Sequence, residues 1–174
     1  MKHFFFSSIA ASSLLLSSAT AAEVWVGVGK IGGDPKTSTE YAIGYETEFD
    51  VSEEFLVGID VSYKYARIKE SEEELTEEGE IERITKKVDE HALDVEGLFG
   101  KALSPHDKLF AVAGVRLGDS DGTTIYGLGV GVEYQHIFEN EMVVSIDAVR
   151  HFMKSEDDIY YQTNTLMLKV GYEF

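Results

Sequence analysis

The sequence predicts an all-β fold, an eight-stranded antiparallel up-and-down transmembrane β-barrel, on three observations. Apolar residues recur at every second position in eight separate segments, a period that belongs to strands and fits no helix. The alternating face is large and apolar while its opposite is small or charged, so each strand has two distinct environments. Beyond Phe4–Leu16 there is no long apolar run, which excludes a helical membrane protein but not a barrel, whose strands average to near-neutral hydropathy.

The chain opens Met1-Lys2-His3, continues through the serine-diluted apolar stretch Phe4–Leu16 and reaches Ala19-Thr20-Ala21-Ala22. A basic start, a short apolar centre and small residues at the end read as a secretory signal peptide over 1–22, cleaved after Ala21 or Ala22. The stretch is short of the ~20 residues that a spanning helix needs. Residues 23–174 then form one barrel domain. With no cysteine in the chain, neither a lipid anchor nor a disulfide is expected.

The first strand alternates Val24, Val26 and Val28 with Trp25, Gly27 and Gly29, and ends at Gly32-Gly33-Asp34-Pro35. The second sets Tyr41, Ile43, Tyr45, Thr47 and Phe49 against Ala42, Gly44, Glu46 and Glu48. After a turn near Asp50–Glu53, the third sets Phe55, Val57, Ile59, Val61, Tyr63 and Tyr65 against Leu56, Gly58, Asp60, Ser62, Lys64 and Ala66. A long glutamate-rich loop is expected from Ile68 to about Lys87. The fourth strand has Leu93, Val95 and Phe99 opposite Ala92, Asp94, Glu96 and Gly100, and turns at Ser104–Asp107. In the fifth, Leu109, Ala111, Ala113, Val115 and Leu117 oppose Phe110, Val112, Gly114 and Arg116. The sixth follows Gly118–Gly122, with Tyr126, Leu128, Val130, Val132, Tyr134 and Phe138 facing away from Gly127, Gly129, Gly131, Glu133 and Gln135. The seventh places Met142, Val144, Ile146, Ala148 and Phe152 against Ser145, Asp147 and His151, and a loop near Ser155–Asp158 leads to the eighth.

Eight strands joined in sequence close without a free edge and enclose an interior only just wide enough for side chains. About five large residues per strand would overfill it, so the apolar face must point outward. Tyrosines and phenylalanines then fall near strand ends, as an interfacial girdle requires. With the N-terminus in the periplasm, Gly33–Ser38, Ile68–Lys87, Gly118–Gly122 and Ser155–Asp158 are external. The turns near Asp50–Glu53, Leu103–Asp107 and Glu139–Asn140 are periplasmic.

The chain ends on Leu166, Leu168, Val170, Tyr172 and Phe174, alternating with Met167, Lys169, Gly171 and Glu173. This resembles the C-terminal assembly signal of bacterial outer-membrane barrels, and the whole pattern resembles the small family of the OmpA transmembrane domain and OmpX. The resemblance implies Sec-dependent export and recognition by the barrel-assembly machinery. It also implies residence in the outer membrane among lipid and lipopolysaccharide, as a monomer without a cofactor. Its structural or surface-interaction role would not include anchoring peptidoglycan from a periplasmic domain.

The inward charges are Glu46, Glu48, Asp60, Asp94, Glu96, Glu133, Asp147 and Glu173, facing Lys64, Arg116 and Lys169. Buried charges must be paired or hydrated, so a plugging salt-bridge network is expected. A narrow cation-preferring water path is the alternative, because eight acids outnumber three bases. Loss of the signal removes one base, Lys2, and moves the formal charge from −17 to −18. Such acidity argues against nucleic acid as a partner, since phosphate binding needs a basic surface.

The remaining candidates carry weaker chemistry. Glu70, Glu72, Glu73, Glu74, Glu77, Glu78, Glu80 and Glu82 could gather divalent ions, but their spacing fixes no cage, and a solvated loop is expected. Asp119-Ser120-Asp121-Gly122 begins like a calcium loop, yet the twelfth position is Val130, so it reads as a hairpin turn. His151, Ser155 and Glu156 lie near one external end and form a possible lipid A-modifying triad, although no spacing shows that they converge. His91, His106 and His136 stand alone and suit turns or the interface better than a metal. No catalytic, cofactor or metal residue is therefore assigned, and an enzyme is not expected.

Overall fold

The computed structural model describes residues 21–33, 36–52, 55–75 and 81–174, with the side chains at 36, 69–75 and 81–86 outside the description. The signal peptide expected over 1–22 lies outside the described residues, except for Ala21 and Ala22. Eight strands follow in order: β1 (Ala21–Gly33), β2 (Lys36–Asp50), β3 (Phe55–Leu75), β4 (Ile81–Ala102), β5 (Asp107–Ser120), β6 (Thr123–Ile137), β7 (Met142–Ser155) and β8 (Tyr160–Glu173). Each pairs with its sequence neighbours, and β1 pairs with β8, which closes the barrel. Every pairing is antiparallel.

The alternation places the two faces as read. Val24, Val26, Tyr41, Tyr63, Leu93, Phe99, Leu117, Leu128, Val132, Ile146, Leu166 and Leu168 are exposed on the outside, while Trp25, Asp60, Asp94, Arg116, Glu133 and Lys169 are buried. An outward band this apolar and continuous is stable where lipid, not water, surrounds it. Backbone N–H and C=O groups meet across every seam, so none need face the hydrocarbon unpaired. Phe55, Phe99, Tyr134, Phe138, Tyr172 and Phe174 gather around the end that holds the C-terminus; Tyr41, Tyr63, Tyr126 and Tyr160 mark the other.

The interior is not uniformly small or charged. Leu56, Leu98, Phe110, Val112 and Val149 form an apolar cluster, and Trp25 packs with Ala42 and Met167. Glycines supply the room. A Cβ on Gly44 would lie 2.3 Å from Cζ2 of Trp25, and one on Gly100 would lie 2.2 Å from Cδ1 of Phe110.

Three connections differ from expectation. The loop expected over Ile68–Lys87 is instead a continued hairpin, with β3 running to Leu75 and β4 starting at Ile81. Apolar alternation marks only the stretch that contacts lipid, whereas ladder hydrogen bonds use the backbone and continue through glutamates. The turn expected over Gly33–Ser38 overlaps strand pairing, with Gly33 paired to Lys36 and Ile31 to Ser38. The turn expected over Gly118–Gly122 contracts to Asp121-Gly122, whose φ values of 53° and 83° suit a two-residue hairpin. Asp119 Oδ1 accepts the Gly122 N–H at 3.0 Å there, and no calcium loop forms.

Candidate functional site

Strands with one face turned inward stack their polar residues into tiers along the barrel axis. In the tier nearer the long hairpin, Arg116 on β5 grips Asp94 on β4 through two parallel bonds, Nε–Oδ1 at 2.8 Å and Nη2–Oδ2 at 2.9 Å. Its Nη2 also lies 3.2 Å from Glu40 on β2, and its Nη1 is 3.9 Å from Glu90. Lys64 of β3 approaches Asp94 Oδ2 at 2.8 Å. This one guanidinium thus ties β2, β4 and β5 together, a role suited to the planar donor fork of arginine.

The next tier is centred on Lys169 of β8. Its ammonium lies 2.8 Å from Glu133, 3.3 Å from Asp147 and 3.7 Å from Asp60, and 4.5 Å above the Trp25 ring. Trp25 donates its indole N–H to Asp60 Oδ2 at 2.7 Å. Gln135 donates to both Glu46 (2.8 Å) and Glu133 (3.0 Å). At the rim, Lys108 bonds Glu48 at 2.7 Å and Glu173 at 3.2 Å.

The structure therefore gathers Asp60, Glu46, Glu133, Asp147 and Lys169 in one tier and Lys64, Asp94 and Arg116 in another, with Glu48 and the half-exposed Glu173 at the rim. Ten carboxylates and three cations are buried among the described residues. Glu23, Glu40, Glu90, Gln135, Lys108 and Trp25 belong to these tiers but were absent from the sequence-derived set. Parity would have found each one: Glu40 is in phase with Ala42, Glu90 with Ala92 and Lys108 with Phe110. Glu23, Glu40, Glu90 and Lys108 lie at strand ends just outside the apolar alternation that marks each strand, whereas Trp25 and Gln135 are on the inward face but carry no charge.

The possible triad does not form. His151 is buried with neither ring nitrogen hydrogen-bonded, while Ser155 Oγ accepts the Ile159 amide at 3.3 Å and Glu156 is exposed. A hydrolase needs its base within hydrogen-bond reach of the nucleophile. The other described histidines are peripheral: His91 Nδ1 meets the Tyr63 hydroxyl at 2.5 Å, and His136 Nδ1 meets Asp107 at 2.8 Å. His106 sits in a turn, its backbone N–H bonded to Ser104 Oγ at 3.1 Å.

No family model matches the chain, and no curated protein matches it. Solved structures do. A de novo designed transmembrane β-barrel superposes with a TM-score of 0.52 at 15% identity, covering 90% of this chain and 97% of the other. A major outer membrane protein of Thermus thermophilus gives 0.56 at 14% identity, covering 88% and 99%. This is the fold of the small outer-membrane β-barrels. Neisserial surface protein A has it too, with a TM-score of 0.51 at 9% identity over 88% of this chain and 96% of its own. The identities are low because the fold asks for a pattern, not for particular residues: outward positions need only be apolar and inward ones need only fit.

Proposed function

We propose that this chain is a small non-enzymatic protein of the bacterial outer membrane, closed inside by its own charged side chains and acting through the hairpin it raises above the rim. The observation that carries this reading is the length of β3 and β4. β2 accompanies β3 only to the pair Glu40↔Ala66, and β5 accompanies β4 only to Glu90↔Ser120. From Arg67↔Asp89 to Leu75↔Ile81 the two strands pair over nine residue pairs with no third strand in register, and only at the first pair do Ser38 Oγ and the Asp121 N–H still reach the carbonyls of Arg67 and Asp89. At ~3.3 Å per residue that is a ribbon roughly 30 Å long.

A ribbon of that length is too polar to enter lipid. Its base is held by Arg67, which bonds Asp89 at 2.6 and 3.2 Å, and by the Tyr65 hydroxyl, 2.9 Å from Asp89. Among the described residues both long edges of the ribbon lack a neighbouring strand, and eight glutamates fall from Glu70 to Glu82 inclusive. A basic partner surface or bound divalent ions match that charge. The likeness to Neisserial surface protein A supports a surface role through the fold alone. Export by the Sec route, insertion by the barrel-assembly machinery, lipopolysaccharide as surroundings and a monomeric state complete the proposal.

A second reading keeps its own observation. Ten buried acids face three buried cations, an excess that would favour cations in any continuous water path. Planar-bilayer recording of the refolded barrel separates the two. Silence, together with loss of partner binding when residues 69–86 are replaced by a short turn, supports the surface role. Steady cation-selective openings that change with Glu96→Gln or Glu133→Gln would move the function into the lumen.

A further inference from the structure

One buried group has no role in either tier. His151 on β7 is only 1% exposed, yet neither Nδ1 nor Nε2 has a hydrogen-bond partner. A neutral imidazole carries one donor and one acceptor, and leaving both unmet inside a barrel is costly. The ring rests against Gly129 of β6, where an added Cβ would come within 2.9 Å of Nδ1. Across the lumen, β4 presents Asp94 and Glu96, two positions apart and therefore on one face. Glu96 is 3% exposed, and its Oε1 also lacks a partner. One ligand atom from each of Asp94, Glu96 and His151 lies within 4.8 Å of the others.

We propose that Asp94, Glu96 and His151 hold one divalent transition-metal ion inside the barrel, bracing β4 against β7. Two carboxylates and an imidazole form a donor set for zinc, cobalt or manganese, whereas calcium and magnesium take oxygen alone. Bonds of ~2.1 Å in tetrahedral arrangement put ligand atoms roughly 3.4 Å apart, so the three groups draw inward around the ion, and water completes the shell.

Asp94 is already gripped by Arg116 and Lys64, but this leaves room. Oδ1 accepts only the Arg116 Nε bond at 2.8 Å and retains a second lone pair. Arg116 then fixes the orientation of a ligand, as outer-shell partners of metal sites do. The composition of the cluster also suits a cation: the four carboxyl groups of Glu40, Glu90, Asp94 and Glu96 outnumber the two bases Lys64 and Arg116.

The test uses the mature barrel refolded in chelator, loaded with Zn²⁺, freed of unbound metal by gel filtration and analysed for elemental zinc. One zinc per barrel is expected in the wild type, with at least a tenfold loss of affinity in His151→Ala and in Glu96→Gln. A barrel with Glu72, Glu73 and Glu74 all changed to Gln should retain its zinc. Zinc that survives His151→Ala, or disappears with the hairpin glutamates, overturns the site. Should His151→Ala fail to fold, Cu²⁺ is loaded into a barrel whose His91, His106 and His136 are changed to Gln. Nitrogen hyperfine coupling in its electron paramagnetic resonance spectrum is then expected from His151 alone. A folded barrel that binds no copper, or shows no such coupling, overturns the site equally.

Discussion

The indole N–H of Trp25 donates to Asp60 Oδ2 across 2.7 Å, joining the first strand to the third through the lumen instead of along the sheet. Because β1 and β3 are separated by β2, this bond is a brace that backbone pairing cannot supply. Lys169 over the same ring adds a cation–π contact from β8.

Trp25→Phe keeps most of the packing and removes the donor. Leaving the buried Asp60 oxygen without it should cost about 1–3 kcal/mol. Urea titration of the barrel in lipid vesicles, followed by circular dichroism because the variant has no tryptophan, measures the shift. Gly44→Ala should destabilise by a comparable amount while keeping the donor, since the new methyl would meet the indole at 2.3 Å.

Removing the guanidinium of Arg116 takes the paired cation from Glu40 and leaves Asp94 with Lys64 alone. Arg116→Met should cost about 3–5 kcal/mol, the usual penalty for leaving a buried charge uncompensated. Adding Glu40→Gln to it should recover part of the loss, because the carboxylate left unpaired goes with it. A double mutant no more stable than Arg116→Met alone would show that the uncompensated Glu40 charge is not the source of the loss.

At the base of the hairpin, the hydrogen bonds from Arg67 and Tyr65 hold the Asp89 carboxyl below its ordinary value of 3.8. A depressed folded pKa means that ordering is fully present above pH 3.8 and is lost as pH falls through the folded value. The pair is 57% and 46% exposed, so solvent screens it and the effect is small. Limited proteolysis of the hairpin with an acid-active protease should therefore quicken below about pH 4 in the wild type. In Asp89→Asn it should be fast already at about pH 6 and change little with acid.

Phe174 closes the β1–β8 seam through its backbone, donating to Ala22 O at 2.8 Å and accepting from Ala22 N at 3.3 Å, while its side chain is 68% exposed. Phe174→Ala keeps both bonds. Refolding in detergent should then be unchanged, and the amount of heat-modifiable barrel assembled in cells should fall. Equal losses in both settings would make the residue a packing element and not an assembly signal.

The alternation of Val24, Tyr41, Leu93, Leu128 and Leu168 determined the strand count, the outward face and the closed architecture, because the membrane imposes a period of two wherever lipid touches the chain. The same parity put Asp60, Asp94, Arg116, Glu133 and Lys169 inside. It was silent where lipid ends: the glutamate-rich stretch after Ile68 carries no apolar signal, yet backbone pairing extends β3 and β4 through it. Parity also assigns a face but no partner. Whether Arg116 meets Asp94, Lys169 meets Glu133, or His151 comes within reach of Glu96 depends on register and on which strands lie opposite after closure. Those choices belong to the tertiary structure, because a contact across a lumen is set by the curvature of the whole sheet and by no local run of residues.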